Sequence, residues 1–129
     1  MTDYAEMLDA LLSGTLDPAS FSHRDHVGVA FEALSRHEPM EALARLSDAL
    51  RRLAARAGAP EKFNATITFA YVSLIAERRA EGGFATADAF IDANADLLDA
   101  AALTARYTSG RLHSPLARRA PLLPDRAAG

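Results

Sequence analysis

Residues 61–80 have the sequence EKFNATITFAYVSLIAERRA, and the conformation of this segment determines the fold class of the chain. Residues 66–72 are rich in β-branched and aromatic side chains, so a buried strand is one interpretation. The segment is longer than most strands, however, and it runs without interruption into the charged residues 77–79. Its length and continuity favour a single helix over the whole segment, ended by the glycines at 82–83.

Helical patterns lie on both sides of this segment. Apolar residues at steps of three and four predict three helices before it, from Tyr4 to near Gly14, from Ser22 to His37 and from Pro39 to Gly58. After it, Thr86 or Asp88 is placed to open a fifth helix, and Asp99 to cap a sixth that ends near Tyr107. The chain is therefore predicted to be all-α. We expect one domain over residues 1–129, folded as a compact antiparallel bundle of about five to six helices, with an irregular C-terminal tail over about 108–129.

The composition narrows the possible functions. The chain has 129 residues, a net charge of −3 and no cysteine, which excludes disulfides, thiolate catalysis and zinc–thiolate sites. Arginines are interspersed with acidic residues and Lys62 is the only lysine, so no basic face for nucleic acid is predicted. No apolar run approaches the ~20 residues that span a bilayer, and residues 1–4 are acidic where a signal peptide would be basic. We therefore expect a cytoplasmic protein without nucleic-acid or membrane partners.

His23 and His26 are the first candidate functional residues. Ser22 and Asp25 have the spacing of a capping box, which predicts that a helix starts at this point. Residues three apart on a helix share a face, so both imidazoles could bind one metal ion or act as an acid–base pair, with Asp25 orienting a ring. The helix N-terminus disfavours a protonated imidazole, which suits metal ligation. In the alternative interpretation, His23 faces solvent and His26 packs against Phe21.

A second group of candidates lies on the helix predicted over residues 61–80. Asn64, Thr68 and Tyr71 follow one another at helical steps on a mostly apolar element, and Lys62 precedes them. Buried polar groups need partners, so these residues could line a ligand pocket between the second and fourth helices. In the alternative interpretation, the threonine returns a hydrogen bond to the preceding turn and the tyrosine spans core and surface.

The tail carries a third group, its arginines, of which Arg118 is the main candidate. Arginine guanidinium groups bind anions through paired hydrogen bonds, so Arg118 could hold an anionic group and, with Lys62, attract an acidic substrate. The alternative is that these arginines form a solvated surface. No phosphate-binding glycine loop, Ser-His-Asp order or paired-carboxylate pattern supports another class of enzyme.

Several separated motifs resemble a family of small, uncharacterised, all-helical bacterial proteins. They are Phe21-x-His23-x-Asp25-His26, Lys62-Phe63-Asn64-Ala65-Thr66-Ile67-Thr68, Asn94-x-Asp96-Leu97-Leu98-Asp99, and the tail elements Tyr107, Leu112, Ala117-Arg118 and Pro124-Asp125. The family pattern combines F-x-H-x-x-H with a later K-[YF]-x-x-T-x-T. The resemblance covers about residues 20–126 and implies no particular reaction.

The same resemblance implies a metal site. In the relatives the central motif is similar to K-Y-H-x-T-x-T, in which a histidine occupies the position of Asn64 and would join His23 and His26 around a metal ion. This chain departs from the pattern, because asparagine is a poor ligand for zinc, copper or iron. The metal would then bind weakly, bind with an additional water, or be absent. The same asparagine would suit a hydrogen-bonded organic ligand.

These observations predict a small cytoplasmic enzyme, or a metal-dependent protein that processes small molecules. His26 would be a metal ligand or general base and His23 its partner. The cofactor would be a divalent transition metal such as zinc, iron or copper, and the ligand a small, anionic molecule. One alternative is a non-catalytic small-molecule-binding or protein-interaction module, and another is a homodimer that joins its apolar helix faces.

Overall fold

A computed structural model describes residues 2–127 and contains no strand within them. Eight α-helices follow one another along the chain: α1 Tyr4–Ser13, α2 His23–Arg36, α3 Pro39–Arg56, α4 Ala65–Glu81, α5 Ala87–Ala93, α6 Ala101–Thr104, α7 Ser109–Leu112 and α8 Pro115–Arg119. Single turns of 3-10 helix lie at Pro18–Ser20, Pro60–Lys62 and Ala95–Leu98. Five of the α-helices are substantial and they pack compactly, which confirms the all-α prediction.

The segment that determines the fold class is a helix, but it begins later than predicted. Helix α4 starts at Ala65, and the residues predicted as its first turn form the separate 3-10 turn Pro60–Lys62. Asn64 marks the boundary because its extended backbone and its side chain cap the helix, with Oδ1 accepting from the Ile67 N–H at 3.0 Å. A capping side chain satisfies one of the free N–H groups at a helix start, so the helix begins where the asparagine stands.

Helix α2 begins where the sequence predicts. Ser22 Oγ accepts from the Asp25 N–H at 3.1 Å, and Asp25 Oδ2 accepts from the Ser22 N–H at 3.0 Å, which completes the capping box. The helix packs against α1, α3, α4 and α5, so it is the central element of the core. At Gly28 the missing side chain makes room for the Tyr4 ring of α1, which is buried. Half of the 14 residues of α2 are buried, on the side that its neighbours cover, while its ends are polar and more exposed.

The tail differs from the irregular segment that was predicted. It contains the two short helices α7 and α8, each of about one turn, and α8 has proline in its first turn. Ser114 Oγ accepts from the Ala117 N–H at 3.1 Å, which explains why α8 starts there. The tail then lies over the bundle, where the Tyr107 hydroxyl donates to the Leu122 carbonyl at 2.8 Å. Sequence periodicity misses helices this short because one turn contains too few apolar positions.

The sixth predicted helix is shorter than expected. Helix α6 ends at Thr104 instead of near Tyr107, although Asp99 does accept from the Ala101 N–H at 2.7 Å. Within residues 2–127, no helix is both long enough and apolar enough to cross a membrane. Only Met40, Leu116 and Leu123 are large hydrophobic side chains exposed on the described surface. The homodimer stays a prediction.

Candidate functional site

A cavity of about 450 Å³ lies between helices α2, α3 and α4. Most of its walls are apolar, and the polar side chains that reach it are His23, His26, Lys62, Asn64, Thr68 and Tyr71. These six are residues that the sequence singled out. The structure therefore brings both histidines and the polar face of α4 to one cavity, which also has a third wall from α3.

Exposure divides the lining into a mouth and a floor. We call the exposed lining residues the mouth: His23, His26, Ala57 and Lys62. The floor consists of Val27, Val29, Leu46 and Ile75, each only 1% exposed. The cavity is thus apolar at depth and polar where it opens to solvent, a distribution typical of small-molecule sites.

His26 lies at the mouth of the cavity, and its imidazole ring forms no hydrogen bond within residues 2–127. Phe21 packs against it, with ring centroids 4.3 Å apart, as the alternative interpretation of this histidine predicted. The residue is accessible to solvent, yet the cavity walls surround its ring with protein atoms. This desolvation, reinforced by nearby His23, lowers the pKa of His26 to about 4, so the imidazole is neutral at physiological pH. No hydrogen bond within residues 2–127 occupies either ring nitrogen.

The imidazole ring of His23 is fixed by a hydrogen bond to Leu97 and by contact with Tyr71. Its Nε2 lies 3.0 Å from the Leu97 carbonyl oxygen, and since a carbonyl only accepts, Nε2 carries the proton and donates. The Tyr71 ring meets His23 edge to face at a centroid distance of 5.3 Å. Tyr71 is fixed in turn by its hydroxyl, which donates to the Asp99 carbonyl at 3.0 Å. Burial, with Asp99 and Asp96 nearby, raises the pKa of Tyr71, so the tyrosine stays protonated and able to donate.

The turn that carries the Leu97 carbonyl, to which His23 donates, is positioned by an ion pair that the sequence did not reveal. Arg78 of α4 donates to both carboxylate oxygens of Asp96, at 2.7 and 2.8 Å. This pair lowers the pKa of Asp96 and attaches the turn Ala95–Leu98 to α4, next to the carbonyl of Leu97 that accepts from His23. In the sequence, Arg78 stands among glutamates and is indistinguishable from a solvated surface residue.

Asn64 and Thr68 line the cavity, but their polar atoms form hydrogen bonds with backbone groups. Asn64 Nδ2 donates to the Leu112 carbonyl at 2.8 Å while its Oδ1 caps α4, so both halves of the amide are engaged. Thr68 Oγ1 donates to the Asn64 carbonyl at 3.0 Å, the bond to the preceding turn that the alternative interpretation described. Both side chains shape the wall of the cavity, and Asn64 also attaches the tail to it through Leu112.

The three other candidates occupy different places. Lys62 lies exposed at the mouth and forms no ion pair within residues 2–127. Asp25 does not line the cavity, and its carboxylate accepts from the Ser22 backbone instead of orienting an imidazole. Arg118 does not line the cavity; it lines a neighbouring depression, which shares Phe63 with the cavity and also includes Arg51 and Arg119. Of the two cations predicted to act together, Lys62 lines the cavity and Arg118 does not, so their joint action stays a prediction.

The donor set does not fit a zinc, iron or copper site. Within residues 2–127, no three His, Asp or Glu side chains lie close enough together to hold a metal ion. The ring centroids of His23 and His26 are 6.2 Å apart, and one nitrogen of His23 is already committed to Leu97. Transition-metal sites use three or four protein ligands, so a stable site would need donors that this cavity lacks.

Sequence reasoning missed one wall of the cavity and one residue that fixes the tail. Sequence periodicity predicts α3 as a helix but does not reveal that Leu46, Leu50 and Ala54 line a cavity, because an apolar helix face looks the same whether it meets a cavity or another helix. Thr66 was also missed, although it is completely buried and bonds twice to the tail, to Ala120 and Leu122. A threonine on the apolar side of a helix was the available signal.

The low pKa of His26 can be measured directly. In an NMR titration of the imidazole signals, one histidine should have its midpoint near 4, and that signal should be missing in His26→Asn. In the unfolded chain this histidine binds its proton near 6.5, so the free energy of unfolding should decrease as the pH falls from about 6.5 towards 4. His26→Asn should remove that part of the decrease. A midpoint near 6.5 for His26 in the folded protein would contradict the prediction.

Comparison with known proteins yields no assignment, since no protein-family model, curated protein or solved structure matches the chain significantly. The resemblance to a family of small bacterial proteins stays a prediction. The cavity and its mouth are therefore the basis for a functional proposal.

Proposed function

We propose that the protein binds a small, largely apolar organic molecule in the cavity between α2, α3 and α4. One observation carries the proposal: a cavity of about 450 Å³ has an apolar floor and an open, polar mouth. Pockets for drug-sized molecules measure roughly 300–1,000 Å³ and combine apolar walls with a few polar groups. Burying the apolar surface of a ligand against this floor would supply the binding free energy.

The state of the polar wall residues supports binding to a preformed site. Tyr71, Asn64 and Thr68 are each held by a hydrogen bond to a backbone carbonyl or N–H. A wall whose side chains are already ordered loses little conformational entropy when a ligand enters. His23 is fixed in the same way through Leu97, which leaves His26 and Lys62 as the groups free to contact a ligand.

An uncharged fluorophore tests the proposal. Phenylnaphthylamine should bind the protein with an increase in fluorescence and a stoichiometry of about one. Ala54→Phe places a large side chain in the cavity from α3 and should weaken this binding at least tenfold. Ala55→Phe is the matched control, because Ala55 is exposed on the same helix and does not line the cavity.

Circular dichroism should first establish that both variants fold. If Ala54→Phe and Ala55→Phe bind the fluorophore as tightly as the wild-type protein, the cavity is not the binding site. The absence of saturable binding to the wild-type protein would contradict the proposal as well.

A second candidate function, acid–base catalysis, is favoured by the state of His26. Its imidazole is accessible, neutral and without a hydrogen-bond partner in the described structure, so it can accept a proton, although a pKa of about 4 makes it a weaker base than an ordinary histidine. Incubation with a metabolite mixture followed by mass spectrometry should then reveal products that His26→Asn does not form. Equal product profiles for the wild-type protein and the variant, with phenylnaphthylamine binding retained, would favour the non-catalytic binding module.

A further inference from the structure

We infer that the ligand is an amphipathic monoanion, whose single carboxylate-type head lies at Lys62 and whose apolar body extends to the cavity floor. The inference rests on the proposed function and adds the chemical class and orientation of the ligand. Three features of the lining support it: its charge, its gradient of exposure, and the state of the groups at the mouth.

The charge of the lining is carried by one residue. No aspartate or glutamate is among the residues that line the cavity, and Lys62 is the one permanent cation among them. His26 is neutral at physiological pH, so it adds no second charge. Lys62 has no carboxylate partner within residues 2–127, which leaves its ammonium group free for an anion from solution. A single cation matches a single negative charge.

The gradient of exposure sets the orientation. Lys62 belongs to the exposed mouth, whereas the floor residues Val29, Leu46 and Ile75 are almost completely buried. An anionic group placed at the floor would lose its hydration without a counter-charge, which is strongly unfavourable. The same group at the mouth keeps part of its hydration and gains the ammonium group. The apolar part of the ligand is then the part that meets the floor.

The other groups at the mouth favour a small oxyanion. The neutral ring of His26 has one N–H donor and one acceptor nitrogen, so it can donate to a carboxylate oxygen beside the lysine. A phosphate monoester carries close to two negative charges near neutral pH, so the single ammonium group of Lys62 would leave part of that charge without a partner. Arg51, Arg118 and Arg119 line the neighbouring depression and are not among the residues that line this cavity.

Competition between two ligands of equal chain length tests the inference. Decanoate and decanol share their apolar chain and differ in charge, and each is used to displace phenylnaphthylamine near neutral pH. The wild-type protein should bind decanoate more tightly than decanol. In Lys62→Gln the ratio of the two affinities should fall about fivefold, at the upper end for a partly exposed ion pair.

Two control variants separate a specific role of Lys62 from a general effect of charge. Lys62→Arg keeps the cation, and Arg118→Gln removes an exposed cation outside the cavity, so both should keep the affinity ratio within about twofold of wild type. Lengthening the carboxylate from octanoate to decanoate should tighten binding by about fourfold per methylene group while the chain still meets the floor.

The results distinguish this inference from the proposed function. If phenylnaphthylamine binds but decanol competes as well as decanoate, or if Lys62→Gln leaves the ratio unchanged, the inference is overturned and the apolar binding site stands. If Ala54→Phe does not weaken the binding of phenylnaphthylamine, the proposed function itself is overturned. A preference for decanoate that depends on Arg118 would place the anion site at the arginine depression and also overturn the inference.

Discussion

Gly28→Ala is expected to lower the free energy of unfolding by about 3 kcal/mol. A Cβ atom at this position would overlap Cδ1 and Cε1 of the Tyr4 ring, far inside van der Waals contact. The ring is buried, so it cannot turn away into solvent without opening the contact between α1 and α2. Overpacking in such a place forces displacement of a helix or of the side chain.

Chemical denaturation followed by circular dichroism measures this loss, and Gly110→Ala is the matched control. Gly110 lies in helix α7, where an added Cβ would meet no atom within 4 Å. Alanine favours a helix over glycine by up to about 1 kcal/mol, so the control should be neutral or slightly more stable. Equal stability of the two variants would show that α1 and α2 do not approach as closely as described.

A double-mutant cycle identifies the cause of the effect. Tyr4→Leu removes the ring that an alanine at position 28 would strike, so Gly28→Ala should cost at least 1 kcal/mol less in the Tyr4→Leu background. Additive effects of the two changes would mean that the alanine acts through something other than the tyrosine ring.

The main helices could be predicted because their signals are local. The capping box of Ser22 and Asp25 and the proline at the start of α3 act within a few residues, so they appear in the sequence as they do in the structure. The start of α4 was placed too early because Glu61 and Lys62 are good helix formers. The helix starts after Asn64 instead, because the side chain of Asn64 caps it and is also fixed by the Leu112 carbonyl of the tail.

The candidate site could be predicted in part. Helical spacing brought His23 and His26 together, and the polar positions of α4 indicated the wall that faces them. The partners of those side chains could not be predicted, because Leu97, Asp99 and Leu112 contribute backbone carbonyls from distant turns. Every residue has a backbone carbonyl, so the residue types in a sequence do not indicate which carbonyls accept hydrogen bonds from side chains. For that reason the sequence could group six polar residues that line one cavity, while the roles of these residues stay predictions.

Thr66 connects the tail to the bundle through two hydrogen bonds. Its Oγ1 donates to the Ala120 carbonyl at 2.8 Å and accepts from the Leu122 N–H at 3.0 Å, and the threonine is completely buried. One hydroxyl thus satisfies a backbone acceptor and a backbone donor of the segment that follows α8. Buried backbone groups that lose such a partner raise the free energy of the folded state.

Thr66→Val is therefore expected to lower the free energy of unfolding by about 2 kcal/mol, because the valine keeps the shape of the side chain and removes both bonds. Thr68→Val is the matched control on the same helix. Its hydroxyl bonds only to the preceding turn, at Asn64, so its loss should cost less than about 1 kcal/mol. Amide hydrogen exchange gives the local readout, since the Leu122 N–H should exchange faster in Thr66→Val than in Thr68→Val. Equal exchange of Leu122 in both variants would contradict the role of Thr66, because a tail held by other contacts would keep this amide protected without the threonine.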